Sequence, residues 1–296
     1  MYLWTWSVIR KYLYNNNARR IRSGVKAGLK ASKTMGKQRI ALVLGGGGAR
    51  GLAHIGVIEE LEHRGYEIHA VAGTSMGALV GGMYAAGHLE AYKKWMCSLD
   101  RYKVFGLVDF TLSRDGLVKG SRVIRAMKDL VPDVRIECLA TSYTAVAADW
   151  VTGNEEVMDR GGLYDAIRAS IAIPSVFTPV RRGHKILIDG GTVNPLPVNR
   201  VRRTEGDLLV AVDVCAPFAQ TPALRSKTMT NPYKMLISSS QIMQQRITGL
   251  MCQLHKPDLL IQMPADAFGI FEMWRANEII EAGRQLAKRA LDEAQM

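Results

Sequence analysis

Cysteine is scarce and scattered: Cys97, Cys138, Cys215 and Cys252 stand far apart, and no pair has the C-x-x-C spacing. That pattern argues against a disulfide framework and against a zinc site, and it fits a reducing, cytoplasmic compartment. Acid is missing from the first part of the chain. Glu59 is the first acidic residue, whereas eleven basic residues precede it, ten of them within residues 1–39. The net charge of +12 therefore belongs almost wholly to that stretch, and the remainder is within one charge of neutral. A body so balanced is not a polyanion binder, so no nucleic-acid partner is expected. Long apolar runs are also missing. Ile68 to Gly87 is long enough to cross a bilayer, but it holds five glycines together with His69, Thr74 and Ser75. No internal repeat and no low-complexity linker breaks the 296 residues, so one main domain is expected.

Two regions follow from this. Residues 1–38 form a basic N-terminal arm with an aromatic tip, "MYLWTW", and a stem rich in Lys and Arg. It reads as a disordered tail, as an upstream extension of a body starting near Met35, or as a peripheral contact with an anionic membrane surface. Its apolar stretch is cut by Arg10 and Lys11, which does not suit a signal peptide. Residues 39–296 are the domain. Arg39–Leu44 reads as a buried strand, Leu52–Arg64 as a helix, Ile68–Ala72 as a strand and Gly77–Ala86 as a buried helix. That alternation predicts an α/β fold, a three-layer α/β/α sandwich around a largely parallel sheet. Tyr102–Gly120 is glycine-punctuated and irregular, a candidate lid, and Ser121–Leu130 a helix. Arg135–Ala148 and Trp150–Val157 read as strands, with Thr152–Gly153–Asn154 a turn signal inside the second region, Leu163–Ile171 as a helix, and "HKILIDGG" as a strand entering a turn. Asp207–Cys215 is a buried strand, Pro232 opens a helix to about Leu254, "DLLIQM" is a short strand, and Trp274–Ala294 closes the chain as a helix.

Three short motifs carry chemistry. The first, "LVLGGGGARG", puts Gly46, Gly48 and Gly51 in the G-x-G-x-x-G pattern between a strand and a helix. A dinucleotide site also needs an acid at the end of the next strand, but that strand ends in Ala70-Val71-Ala72-Gly73. No Gly-Lys-Ser/Thr follows either, so the Walker pattern fails. Nucleotide binding through Gly46–Gly51 stays a weak alternative, beside a plain tight turn and a set of bare amides for an oxyanion. The second motif is "GTSMG", Gly73 to Gly77, which matches G-x-S-x-G at a strand-to-helix junction. Such an elbow exposes a serine hydroxyl, here that of Ser75, at the positive end of the following helix. A serine nucleophile needs a base. Of the histidines after Ser75, His88 follows a helix, His184 sits in a basic turn and His255 precedes a strand, so none is placed as a triad base. Asp189 in the third motif, "ILIDGG", is better placed: a strand carries it to the sheet's C-terminal edge, and Gly190 and Gly191 turn the chain beside it.

Taken in order, "GGGGARG", "GTSMG" and "DGG" resemble the patatin-like phospholipase family, and most of all its small bacterial RssA-type members. The likeness runs from about Arg39 to Cys215 and includes "IRASIAIPSVFTPV", Ile167–Val180. It implies a Ser75–Asp189 dyad without histidine, and a glycine loop in which Gly46, Gly47 and Gly48 form the oxyanion hole. Arg50 and Gly51 would shape that loop, with Gly73, Gly77, Gly190 and Gly191 supporting the two turns. The activity implied is hydrolysis of acyl esters of the phospholipase A or lysophospholipase type, with a lipid substrate and no metal or soluble cofactor. Residues around Val104–Val108 and Phe177 would line the acyl chain. The alternative is a regulatory or scaffolding protein that keeps the fold and turns over little.

Overall fold

The computed structural model describes residues 37–106, 110–113, 116–118, 120–219 and 232–296. The basic arm lies outside them except for Lys37 and Gln38, and with it the expected membrane contact. In chain order the elements are β1 (Arg39–Leu44), α1 (Ala53–His63), β2 (Glu67–Thr74), α2 (Met76–Ala85), α3 (Leu89–Cys97), α4 (Arg101–Gly106), β3 (Phe110–Ser113) and β4 (Gly116–Val118). There follow α5 (Ser121–Leu130), β5 (Ser142–Asp149), β6 (Glu155–Met158), α6 (Leu163–Ser170), β7 (Val180–Arg182), β8 (Lys185–Asp189), β9 (Leu208–Ala216), α7 (Pro232–His255), β10 (Leu259–Pro264) and α8 (Ala276–Ala294).

The main sheet has the order β10-β9-β1-β2-β5-β8-β7, with β6 also paired to β5. From β10 through β5 every neighbour is parallel, while β8, β7 and β6 join antiparallel. The fold is thus α/β with a mostly parallel sheet, as the alternation of elements predicts. Strand β1, "RIALVL", is apolar on both faces because both faces are covered. Ile40, Leu42 and Leu44 enter a large cluster with Ile55 and Ile58 of α1, Met83 of α2, Ile167 of α6 and Ile279 of α8. Ala41 and Val43 point the other way, into a smaller cluster with Leu196, Val198, Leu209 and Ala211, against which Met251 and Cys252 of α7 pack partly buried. The second layer is accordingly thin: α7 and the chain at Leu196–Val201 cover it.

The predicted strands over Arg135–Ala148 and Trp150–Val157 need correction. The first is a short 3-10 turn at Ile136–Cys138 followed by β5, and the second begins only at Glu155. The break in the second falls on the turn signal at Thr152–Asn154, and Asp149 forms it. Its carboxylate accepts hydrogen bonds from Thr152 Oγ1 at 2.8 Å, from Val151 N at 3.2 Å and from Ile186 N at 3.2 Å. An aspartate that gathers local donors closes a turn. The proposed lid over Tyr102–Gly120 holds the end of α4 and the β3–β4 hairpin, and its residues 107–109, 114–115 and 119 lie outside the described ones.

Candidate active site

Ser75 and Asp189 come together through strand register. Thr74, the last residue of β2, is paired with Val146 of β5. Asp189, the last residue of β8, is paired with Ala147, the next residue of β5. Because β8 runs antiparallel to β5, it descends from beyond the sheet edge and stops where β2 stops. Two strands of opposite direction therefore end at one level.

The elbow is a real backbone departure. Ser75 has φ 56° and ψ −125° before α2 begins. A side chain held at positive φ costs about 1–3 kcal/mol and persists only when its surroundings impose it. Here they do. The Ser75 N–H donates to Ser170 Oγ at 2.9 Å, and Ser170 Oγ donates to the Val146 carbonyl at 2.6 Å. Thr74 Oγ1 donates to the Asn194 carbonyl at 2.8 Å. Gly73 is paired in both ladders, with Leu44 and with Ala145. Gly77 fits only as glycine: a Cβ there would stand 2.1 Å from the Leu44 carbonyl oxygen. Gly77→Ala should lower stability by about 3 kcal/mol or more in a urea melt. Gly249→Ala on α7, where the added methyl meets nothing within 4 Å, should be neutral or slightly stabilising in the same measurement.

Asp189 is 7% exposed and Ser75 6%. The Gly191 N–H donates to Asp189 Oδ1 at 2.7 Å, while Oδ2 is buried without an aligned hydrogen bond. Burial raises the carboxyl pKa from 3.8 to about 6, against the downward pull of the neighbouring Ser75 hydroxyl and of the Gly191 N–H. Gly190 anchors the turn, its carbonyl accepting from Val193 N at 3.0 Å and from Asn194 N at 2.8 Å.

The glycine loop lies against this pair. A methyl on Gly46 would come within 3.3 Å of the Ser75 Cβ, and one on Gly51 within 2.4 Å of the Met76 side chain. The Gly46 N–H, however, is already used: it donates to the Pro195 carbonyl at 2.9 Å. The loop's first amides continue sheet-like pairing beyond β1, as Gly45 does with Val212 at 3.0 Å. Of the three glycines expected to offer amides, Gly47 and Gly48 are the two whose N–H groups have no backbone acceptor among the described residues. Gly48 has φ +59°, and a Cβ on it would stand 2.5 Å from the Ile270 oxygen. Arg50 is 2% exposed and ties the loop down. Its guanidinium donates to the carbonyls of Val214 (3.0 Å), Ala265 (2.6 Å) and Phe268 (3.1 Å), and to Cys215 Sγ (3.1 Å).

Two contributors escape a reading from sequence. Ser170 lies within the quoted "IRASIAIPSVFTPV", but nothing in that string says its hydroxyl bridges Ser75 and Val146. His54 lies on the buried face of α1 with Ile58 and Leu61, and its Nε2–H donates to the Gly45 carbonyl at 2.8 Å. Burial lowers its pKa to about 4, so it stays neutral and holds the loop. Its position one and two turns before apolar core residues was the available signal. Phe177 packs near Gly120, Val104 joins the edge of the large cluster, and Leu107 and Val108 lie outside the described residues. Among the described residues no group of three or more His, Cys, Asp and Glu is arranged to hold a metal ion.

Known proteins are similar to this chain in sequence and fold. The chain is 46% identical over 176 residues to an uncharacterized NTE family protein of Mycobacterium bovis, covering 60% of this chain and 49% of that one. An uncharacterized NTE family protein of Mycobacterium tuberculosis is 29% identical over 274 residues, 85% of this chain and 46% of its own length. Lysophospholipase NTE1 of Kluyveromyces lactis is 33% identical over 202 residues, 66% of this chain and 14% of the fungal protein. The chain thus spans about half the length of the mycobacterial relatives it matches. Among solved structures, VipD from Legionella pneumophila superposes with a TM-score of 0.51 at 14% identity, over 96% of this chain and 73% of that one, a likeness of fold. The family model described as patatin-like phospholipase matches residues 42–201, a segment that begins three strand residues before the glycine loop and ends beyond the Asp189 turn. With more than half of its length under that match, the chain belongs to the patatin-like phospholipase family.

Proposed function

We propose that this protein hydrolyses acyl esters of phospholipids or lysophospholipids through a Ser75–Asp189 dyad. One observation carries the reading: a serine in a strained elbow and a buried carboxyl of raised pKa end two strands at the same level, beside glycine-loop amides that have no backbone acceptor among the described residues. Ser75 Oγ attacks the ester carbonyl carbon while Asp189 takes its proton. The N–H groups of Gly47 and Gly48 receive the oxyanion, with Gly46 holding the loop close to the serine. The proton then passes to the departing alcohol and leaves an acyl-serine. Asp189 next deprotonates a water, which attacks the acyl carbon. The fatty acid leaves and Ser75 regains its proton. A donor preorganised for the oxyanion is worth about 2.7–4 kcal/mol of barrier.

The name of the fungal relative favours a lysophospholipid as first substrate to try. A fluorophosphonate probe tests the chemistry directly, because it reacts preferentially with an activated serine. Intact protein should take up one equivalent, and peptide mass spectrometry should find it on Ser75. Label on another residue overturns the assignment. No label on folded protein favours the scaffolding alternative.

A further inference from the structure

Helix α7 is apolar on two sides. Its inner side is occupied: Met251 and Cys252 meet the small cluster, Thr248 is buried, and Gln245 Nε2 donates to the carbonyls of Cys215 (3.0 Å) and Ala216 (3.2 Å). The Gln244 side chain reaches the Asp189 turn, 3.3 Å from where a Gly191 Cβ would be. The outer side carries Leu236, Met243, Leu250 and Leu254, which are 69%, 60%, 65% and 73% exposed. Their spacing of seven, seven and four residues aligns them in one stripe. Met235 and Ile242 widen it at 52% and 46% exposure. Single exposed apolar residues are ordinary, but an aligned stripe marks a contact surface.

The charge pattern says what kind of surface meets it. From Pro232 to Pro257 the chain has no acidic residue, while Lys234, Arg246 and Lys256 are basic, the last two exposed. Apolar side chains beside cations with no acid suit an anionic lipid surface. A second copy would bring the same cations against themselves across a twofold axis, with no opposite charge to meet them. No helix among the described residues is long and apolar enough to cross a membrane, so the contact would run along the surface.

We infer that α7 lays this stripe on an anionic lipid surface and so brings the Asp189 turn, one side chain away, to the lipid. The inference rests on the lipid-hydrolase reading for its purpose, although the docking can be measured without turnover. The full chain is mixed with vesicles of phosphatidylcholine plus phosphatidylglycerol and co-sedimented. Wild type should bind. The triple variant Leu236→Glu, Met243→Glu, Leu250→Glu should lose vesicle partition by ~10-fold or more, with hydrolysis of a soluble short-chain ester unchanged and Met243→Leu behaving as wild type. The docking is overturned if wild type does not bind, or if the triple variant binds equally, as it would were the N-terminal arm responsible. A triple variant that changes from dimer to monomer in light scattering, with partition unaltered, would give the stripe to a second copy and overturn it too. Stripe-dependent binding by a protein inactive on every ester would retain the docking and remove the hydrolase reading alone.

Discussion

Ser75→Ala should leave a folded protein whose kcat/KM on a lysophospholipid falls by ~10⁴-fold or more, since a nucleophile cannot be replaced piecemeal by the rest of its site. The residual rate then measures what the glycine loop and substrate binding supply unaided. Stability should barely change, because alanine keeps the Cβ that makes φ 56° costly. Ser75→Gly separates strain from chemistry. It is equally inactive, yet it relieves the positive φ. A strain of ~1–3 kcal/mol is recovered, offset by the added freedom of glycine in the unfolded chain, ~0.4–1 kcal/mol. A net gain of about 1 kcal/mol in a denaturant melt is expected. A glycine variant no more stable than wild type would mean that Ser75 is comfortable where it stands, and that the elbow holds no strain to be used.

The parts of this site differ in how plainly the chain announces them. Glycines are legible because close approach leaves no substitute: Gly77 against the Leu44 carbonyl and Gly48 against Ile270 are contacts that any side chain would block. Apolar runs are legible for a similar reason, since β1 and β9 are covered on both faces and need no alternation. What cannot be read is pairing. The level at which Asp189 meets Ser75 depends on β8 joining β5 antiparallel and in one register, and local sequence does not encode a partner strand. Hydrogen-bond commitments are hidden for the same reason. "GGGG" offers four equivalent amides until the fold assigns Gly45 to Val212 and Gly46 to Pro195, which leaves the next two without a backbone acceptor among the described residues. Ser170 is hidden because its role lies wholly in partners distant along the chain, Ser75 and Val146, whereas the buried helical position of His54 is legible but its bond to the Gly45 carbonyl is not.

Asp189→Asn should lower kcat/KM by ~10²–10⁴-fold by removing the base, and it should also make the protein more stable at neutral pH. Both follow from the same burial. In wild type the carboxyl titrates at about 6 when folded, so kcat/KM should climb with pH through an apparent pKa near 6, as a base that must be ionised requires. Stability runs the other way. The unfolded carboxyl ionises near 3.8 and the folded one near 6, so between those values the folded state binds the extra proton and loses stability as pH rises. The full displacement amounts to about 3 kcal/mol at pH 7 and above, and to nothing below pH 3.8. An asparagine carries no charge to bury, keeps an oxygen for the Gly191 N–H, and escapes most of that cost. His54 titrates with the opposite sign over an overlapping range, stabilising above its unfolded pKa of 6.5 and failing as pH falls toward 4. Its effect is common to both proteins, so subtracting the Asp189→Asn stability curve from that of wild type leaves Asp189 alone. That difference should open between pH 4 and 6 in favour of the variant. A flat difference curve, with activity still lost, would mean that the carboxyl is ionised at ordinary pH without penalty. Activity would then depend on Asp189 for orienting Ser75, and another group would have to take the proton.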